Sequence, residues 1–282
     1  MRRLTIIGGG PSALMLAAQL DTQKYQVTLC ERKKSVGRKF LLAGEGGLNL
    51  TSNYSVEELI TQYFPSEFMD PIIRQFTNED LINWLNDLGI ATFIGSSNRV
   101  FSDLELKPIE VLNKIVEYIS TKEITIQLDR KWLGWNEEGH LCFEELEDVA
   151  SDIVVFALGG ASWKVTGSDG GWAKAFKARG VRVLAFRAAN CAFGVNWNKN
   201  FIATYEGKPL KNIALTYHNH CSKGELVISK FGLEGNAIYA LSQKIQDALL
   251  TEEPVVIHLD LKPKMTVDQI RAKYKRSRLS KV

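Results

Sequence analysis

The sequence predicts an α/β protein that begins with a Rossmann-like, dinucleotide-binding domain. Three observations carry this prediction. A short apolar strand at Leu4–Ile7 runs directly into a glycine turn at Gly8–Gly10. Apolar residues then recur with helical spacing between positions 14 and 18. A second apolar strand follows at Gln26–Cys30. A strand, glycine turn, helix and strand in this order are typical of the first unit of a doubly wound parallel sheet.

The glycine turn has the residue types that a dinucleotide site requires. Residues 8–13 fit the pattern G-x-G-x-x-A, in which Gly8 permits the tight turn and Gly10 lets the backbone approach a pyrophosphate. The small Ala13 permits close packing of helix on strand, and the helix N-terminus stabilises phosphate charge. Glu31 ends the second strand, where its carboxylate can accept hydrogen bonds from an adenosine ribose. The alternative is a structural glycine turn in an ordinary parallel-sheet protein.

Helices follow this unit. The pattern predicts helical structure from Val56 to about Gly89, with Thr77 as an N-cap. A further helix is predicted to begin near Pro108, because proline is well tolerated at the first helical position.

Strand-like segments close the first domain. Three short segments at 124–128, 132–135 and 141–145 predict an antiparallel meander. The apolar run Ile153–Leu158 predicts a strand that is buried on both faces of the parallel sheet. We expect the dinucleotide-binding domain to cover residues 1–193. A mixed second domain on the substrate side is expected over residues 194–282.

A second glycine-dense loop favours FAD over NAD as the expected ligand. Arg38 and Lys39 precede the glycine-rich segment 43–51, where a simple NAD domain would normally continue into its next helix. The two cations suit phosphate or ribityl oxygens, and the loop amides suit an isoalloxazine ring. A plain NAD-dependent dehydrogenase is therefore the less favoured alternative, and a solvated surface loop is the other.

Composition limits the partners and the compartment. The chain has 282 residues, 45% hydrophobic and 24% charged, which is typical of a soluble globular protein. No apolar run reaches the ~18 residues of a membrane span, and the N-terminus lacks a secretory signal. Residues 271–282 hold six Lys and Arg and no acid, and the remaining chain has 29 basic against 32 acidic residues. We expect a cytoplasmic protein without a membrane or nucleic-acid partner.

Metal binding is not expected. The four cysteines are far apart in sequence, which fits neither a zinc site nor a disulfide framework. His218 and His220 could share one face of a strand, but zinc generally takes three or four protein ligands. Trp163 and Trp172 follow the later glycine turn at 159–160 and are candidates for a position near the cofactor.

The chain resembles the bacterial BaiN-type (YhiN-like) NAD(P)/FAD-dependent oxidoreductases, which are flavoproteins with glutathione-reductase-like folds. The resemblance is carried by Gly37–Lys39 with Gly44–Thr51, and by the stretches Ala157–Gly170, Gly207–Asn212 and Gly224–Gly235. It runs over essentially the whole chain. It implies that FAD is bound by the following residues: Gly8, Gly10, Pro11, Ser12, Ala13, Glu31, Arg32, Arg38, Lys39, Gly44, Gly46, Gly47, Asn49, Thr51, Ala157, Gly159 and Gly160.

The expected activity is FAD-dependent oxidation or reduction of a small organic molecule, by hydride transfer to or from flavin N5, with NAD(P)H as a possible electron donor. No catalytic acid or base is identified. Glu45 and Leu48 stand where relatives often carry Gly and Cys, so the surface that faces the flavin is expected to differ. Family members also continue beyond position 282 with a segment that covers the flavin. A truncated, non-catalytic FAD-binding remnant is therefore the main alternative, and the second domain is expected to be incomplete.

Overall fold

The computed structural model describes residues 1–42, 47–95, 98–251 and 254–279, without the side chains of residues 275–279. The chain divides into two compact units, Met1–Phe186 and Arg187–Val282. This division lies slightly before the predicted domain boundary at 193/194. The functional roles assigned to the two predicted domains stay predictions.

The first unit alternates strands and helices. Its strands are β1 (Arg2–Ile7), β2 (Tyr25–Cys30), β3 (Asn49–Ser52), β4 (Thr92–Ile94), β5 (Arg99–Ser102), β6 (Ile124–Gln127), β7 (Trp132–Trp135), β8 (Leu141–Phe143) and β9 (Ile153–Phe156). Its α-helices are α1 (Pro11–Gln19), α2 (Val56–Ile60), α3 (Ser66–Ile73), α4 (Asn78–Asp87), α5 (Pro108–Ser120) and α6 (Ala173–Ala178). Short 3-10 helices span Phe40–Leu42 and Lys164–Thr166.

A four-stranded sheet organises this unit. Its order is β6-β2-β1-β9, and every pairing is parallel. Strand β1 is apolar and buried from Leu4 to Ile7, and the buried face of α1 contributes Ala13, Leu14, Ala17 and Ala18 to the same core. Small side chains at positions 13, 17 and 18 let the helix lie close to the sheet. The predicted α/β, Rossmann-like fold class is confirmed.

The predicted helices are present. Thr77 caps α4 in a capping box with Asp80, and Pro108 is the first residue of α5. Helix α5 buries an apolar stripe of Val111, Leu112, Ile115 and Ile119 in the core beneath the sheet. This helix is the connection that brings β6 back parallel to β2, because parallel neighbours need a crossover.

The predicted meander is only partly correct. The segment at 124–127 forms β6 of the parallel sheet and pairs with β2. The antiparallel part consists of β7 and β8, extended by a bridge between Leu141 and Val149. The prediction that Ile153–Leu158 is buried on both faces is also wrong. Strand β9 ends at Phe156 and its residues are only half-buried, because it pairs with β1 alone in the described sheet.

The second unit contains an antiparallel sheet in the order β10-β13-β12-β11-β14. Its core is apolar and includes Leu215, Leu226 and Ile238. Its strands and helices are β10 (Phe193–Gly194), β11 (Pro209–Tyr217), β12 (His220–Ser229), β13 (Gly232–Glu234), β14 (His258–Asp260), α7 (Lys199–Tyr205), α8 (Asn236–Tyr239), α9 (Ser242–Ala248) and α10 (Val267–Leu279).

Within the part of the chain that the structure describes, no helix combines the length and the apolar character that crossing a membrane would take.

Candidate functional site

The glycine turn after β1 has a backbone that only glycine adopts easily. Gly8 has φ +110°, and a Cβ atom on it would lie 2.4 Å from the carbonyl oxygen of Ala157. Its N–H donates to the carbonyl of Cys30 at 2.8 Å, which ties the turn to the end of β2. The chain therefore passes between the ends of the two neighbouring strands without a side chain.

Gly10 is glycine for a different reason. It is the N-cap of α1 with an ordinary φ of −79°, and no atom of the described residues, its chain neighbours aside, lies within 4 Å of the position that a Cβ would occupy. The space beside its backbone is thus open at the N-terminus of α1. This is the position at which helix amide groups and the helix dipole favour an anionic ligand.

Glu31 holds the turn from the side of β2. One carboxylate oxygen accepts the N–H of Gly9 at 2.6 Å, and the other accepts the N–H of Lys33 at 2.8 Å. The N–H of Gly37 donates to the carbonyl of Gly9 at 2.8 Å. Because each carboxylate oxygen has more than one acceptor site, Glu31 retains capacity for a ligand hydroxyl group.

A cavity of about 750 Å³ opens at the carboxyl ends of β1, β2 and β9. In the sheet order β6-β2-β1-β9 the chain continues on opposite sides of β1, and ligands of open α/β sheets bind at such a switch point. The predicted site residues that line this cavity are Gly8, Gly10, Pro11, Ser12, Glu31, Arg32, Arg38, Lys39, Ala157, Gly159 and Gly160.

The cavity lining is strongly cationic. It contains six basic side chains and two acidic ones. The basic residues are Arg32, Arg38, Lys39, Arg130, Lys131 and Lys174, and the acidic residues are Glu31 and Asp169. A helix N-terminus, an open glycine backbone and surplus positive charge form a donor set that fits the pyrophosphate of a dinucleotide.

Arg32 bridges the two edges of this cavity. Its guanidinium lies 3.0 Å from the Asp169 carboxylate and donates to the carbonyl of Gly167. Burial raises the pKa of Asp169, but the N–H of Gly171 and the charge of Arg32 together lower it below its ordinary value. Arg32 follows β2 and Asp169 follows β9, so the contact passes over the end of β1.

The second glycine turn follows β9 and is fixed by side chains. The indole N–H of Trp172 donates to the carbonyl of Gly159 at 3.0 Å. The hydroxyl of Ser168 donates to the carbonyl of Gly160 at 3.0 Å. Trp172 also lines the cavity, as does the backbone of this turn.

A second cavity of about 470 Å³ adjoins the first. Pro11 and Lys39 line both cavities. The lining of the second cavity is mostly apolar, and its other residues are Phe40, Leu42, Leu48, Asn49, Leu50 and Trp163. A ligand that extends from the glycine turn past Pro11 would therefore leave a cationic environment and enter an apolar one.

Some predicted site residues lie elsewhere. Ala13 is fully buried in the core and supports the turn without lining either cavity. Gly47 and Thr51 are described but are absent from both cavity linings. Gly44 and Gly46 lie outside the described residues.

Sequence reasoning missed a group of cavity residues that follows β6. Arg130 and Lys131 line the first cavity because the parallel strand β6 ends at the same sheet edge as β2. A basic pair shortly after the apolar segment 124–127 is the sequence feature that could have identified them. Assignment of that segment to an antiparallel meander places the pair away from the parallel sheet edge.

Cys30 also lines the first cavity. Burial raises the pKa of its thiol to about 11, and Arg130 opposes that effect only in part. The thiol is thus protonated at neutral pH. His218 lies in the hairpin turn between β11 and β12, and His220 is the first residue of β12, so the two side chains do not share one strand face as predicted. No cluster of three potential metal ligands occurs among the residues that the structure describes.

Comparison with known proteins identifies relatives. The family described as HI0933-like protein Rossmann domain matches residues 2–251. The chain is 25% identical over 282 residues to 3-dehydro-bile acid delta(4,6)-reductase of Clostridium scindens, across 96% of this chain and 67% of that protein. It is 24% identical over 242 residues to ribosomal RNA dihydrouridine synthase of Escherichia coli, across 84% of this chain and 59% of that protein. The chain thus spans roughly three-fifths to two-thirds of these curated relatives.

Solved structures show more distant similarity. The open conformation of a flavocytochrome c3 fumarate reductase matches 56% of this chain and 34% of its own, with a TM-score of 0.44 and 16% identity.

Proposed function

The chain belongs to the HI0933-like Rossmann family, and from this membership we propose that it is an FAD-dependent oxidoreductase acting on a small organic molecule. The observation that carries the proposal is the pair of adjoining cavities in the first unit. One is cationic and built on the glycine turn, and the other is apolar. A flavin dinucleotide has the same division between a charged half and an apolar ring system.

In this proposal the turn at Gly8–Ser12 holds the pyrophosphate with backbone N–H groups, and Glu31 accepts hydrogen bonds from the adenosine ribose. Arg38 and Lys39 neutralise phosphate charge. Arg32 has a separate role, because its guanidinium is already engaged with Asp169 and Gly167. Arg32 therefore fixes the edge of the cavity, and the other cations neutralise the charge of the phosphates.

When bound, FAD would supply hydride transfer to or from its N5 atom, with NAD(P)H as the proposed electron donor. The task of the chain is to bind the cofactor, to orient it and to exclude water. The apolar lining of Leu48 and Leu50 in the second cavity suits the last of these roles.

The proposed reaction is reduction of a carbon–carbon double bond. One relative is named as a delta(4,6)-reductase and another as a dihydrouridine synthase, and both names describe hydrogen added to an unsaturated carbon pair. A small, mostly apolar substrate is the first candidate, since most of the described side chains that line the second cavity are apolar.

A uracil base in RNA is the second candidate, because one relative is named as a ribosomal RNA dihydrouridine synthase.

The first test is cofactor binding by the full chain. We expect a flavin absorption spectrum, and FAD as the nucleotide released on denaturation. Glu31→Ala should weaken FAD binding by about tenfold or more, because it removes a charged hydrogen-bond acceptor. Glu117→Ala, at an exposed position of α5 outside both cavity linings, is the matched control and should bind FAD normally.

Turnover is the second test. With NADH or NADPH, the chain should reduce a conjugated enone faster than it reduces uridine in RNA, and the reverse order would favour the second candidate. A chain that takes up no FAD would disprove the proposal. If it binds FAD but the flavin is not reduced by either nucleotide, the non-catalytic alternative is favoured.

A further inference from the structure

Trp163 stands half-exposed on a rigid segment of backbone at the second cavity. The side chain lines this cavity and is 55% exposed. Its backbone forms a two-way bridge with Ser168, with N–O distances of 3.2 and 3.1 Å. The hydroxyl of Thr166 donates to the Trp163 carbonyl at 2.8 Å. These hydrogen bonds fix the backbone from which the indole projects into the cavity.

A side-chain hydrogen bond fixes the position of this segment over the cavity. The ammonium group of Lys39 donates to the hydroxyl of Ser162, the residue before Trp163, at 2.5 Å. Lys39 lines both cavities. The contact thus joins the loop after β2 to the loop after β9 at the point where the cavities meet.

Among the residues that the structure describes, no aromatic ring or cation packs on the indole of Trp163. Other tryptophans of the first unit, such as Trp132 and Trp172, lie in edge-on contacts with aromatic rings. Trp163 makes no ring–ring contact with the aromatic side chains that the structure describes. An exposed indole beside Phe40 and Leu48 in an otherwise apolar cavity is suited to a flat, conjugated ligand.

We propose that Trp163 forms one wall of the isoalloxazine site and lies in direct contact with the flavin ring. This inference rests on the proposed function. The second cavity is the apolar continuation of the dinucleotide cavity past Pro11, and its single large aromatic surface among the described lining residues beyond Phe40 is Trp163. Trp163 thereby acts as a positioning residue for the flavin.

Flavin fluorescence provides a test that does not depend on activity. An indole in contact with an excited flavin transfers an electron to it and recovers that electron by recombination, so emission is quenched without net chemistry. Phenylalanine is too difficult to oxidise to do this, whereas tyrosine is a competent donor. Emission and its lifetime are measured per bound FAD for the wild type and for Trp163→Phe, Trp163→Tyr and Trp135→Phe.

We expect Trp163→Phe to raise the emission per bound flavin several-fold and to lengthen its lifetime, while Trp163→Tyr stays quenched. Trp135→Phe is the matched control, because Trp135 lies outside both cavity linings, and its emission should equal that of the wild type. Since Trp163 is half-exposed, folding of its variants should be preserved. Unchanged emission in Trp163→Phe overturns the inference alone, whereas absence of FAD uptake by the wild type overturns the proposed function as well.

Discussion

Alanine at Gly8 and alanine at Gly10 should have opposite consequences, although the two residues belong to one turn. At Gly8 the backbone has φ +110°, and a new Cβ would lie 2.4 Å from the Ala157 oxygen. Such a backbone conformation costs about 1–3 kcal/mol in a residue other than glycine. Relief of the contact must also shift Ala157, whose N–H donates to the carbonyl of Ile7 at 2.8 Å. We expect a total loss of about 2–4 kcal/mol in the free energy of unfolding.

At Gly10 neither cost arises. Its φ is −79°, and apart from its chain neighbours a Cβ atom there would meet none of the described residues within 4 Å. Alanine is a poorer N-cap than glycine, but it also reduces the freedom of the unfolded chain, so stability should change by less than about 0.5 kcal/mol. The added methyl group instead projects into the space reserved for the ligand. We expect FAD affinity to fall about tenfold or more, because the pyrophosphate must approach this backbone closely.

The assay is urea unfolding followed by tryptophan fluorescence, combined with FAD titration of the folded protein. Five of the six tryptophans lie within residues 1–186, so the signal reports chiefly on the first unit. The reasoning is refuted if Gly8→Ala is as stable as the wild type, or if Gly10→Ala is the less stable of the two variants.

Two further predictions concern ionisable groups in the first cavity. The pKa of Asp169 is lowered from 3.8, so its contacts with Gly171 and Arg32 stabilise the folded state fully above the unfolded-state value and lose this effect as the pH falls through the folded-state pKa. Asp169→Asn should therefore be less stable than the wild type at pH 7, and unfolding curves at pH 3 should show a smaller difference; an equal difference at both values would contradict this. The pKa of the Cys30 thiol is raised to about 11 by burial, and Cys221 is exposed. At pH 8 iodoacetamide should modify Cys221 before Cys30, as peptide mass spectrometry can check, and early labelling of Cys30 would contradict its burial.

Local patterns in the sequence were sufficient to predict the start of the fold. The strand, turn, helix and second strand are contiguous, so Gly8, Ala13 and Glu31 could be placed by spacing alone. The cap at Thr77 and the start of α5 at Pro108 were equally local, since each depends on hydrogen bonds or backbone geometry within a single turn.

Strand pairing was harder to predict because it depends on distant residues. The segment at 124–127 has nothing in its own sequence that distinguishes a parallel neighbour of β2 from the first strand of a meander. Once it was misassigned, Arg130 and Lys131 could not be placed at the cavity. The contact between Lys39 and Ser162 joins residues 123 positions apart, and no periodicity in the sequence reveals such a pair.

The pairing of β1 with β9 affects when the first cavity forms during folding. The first cavity is lined by residues from the opening of the chain and by residues that follow β9, near positions 157–175. Strand β9 pairs with β1 across a separation of about 150 residues, and contacts of such long range form slowly because a large loop must close first. Residues 1–42 can therefore adopt their turn and helix early, while the walls that enclose a ligand appear only when β9 docks. We therefore expect the ligand site to form late in folding, and a bound dinucleotide to stabilise the chain once β9 has paired with β1.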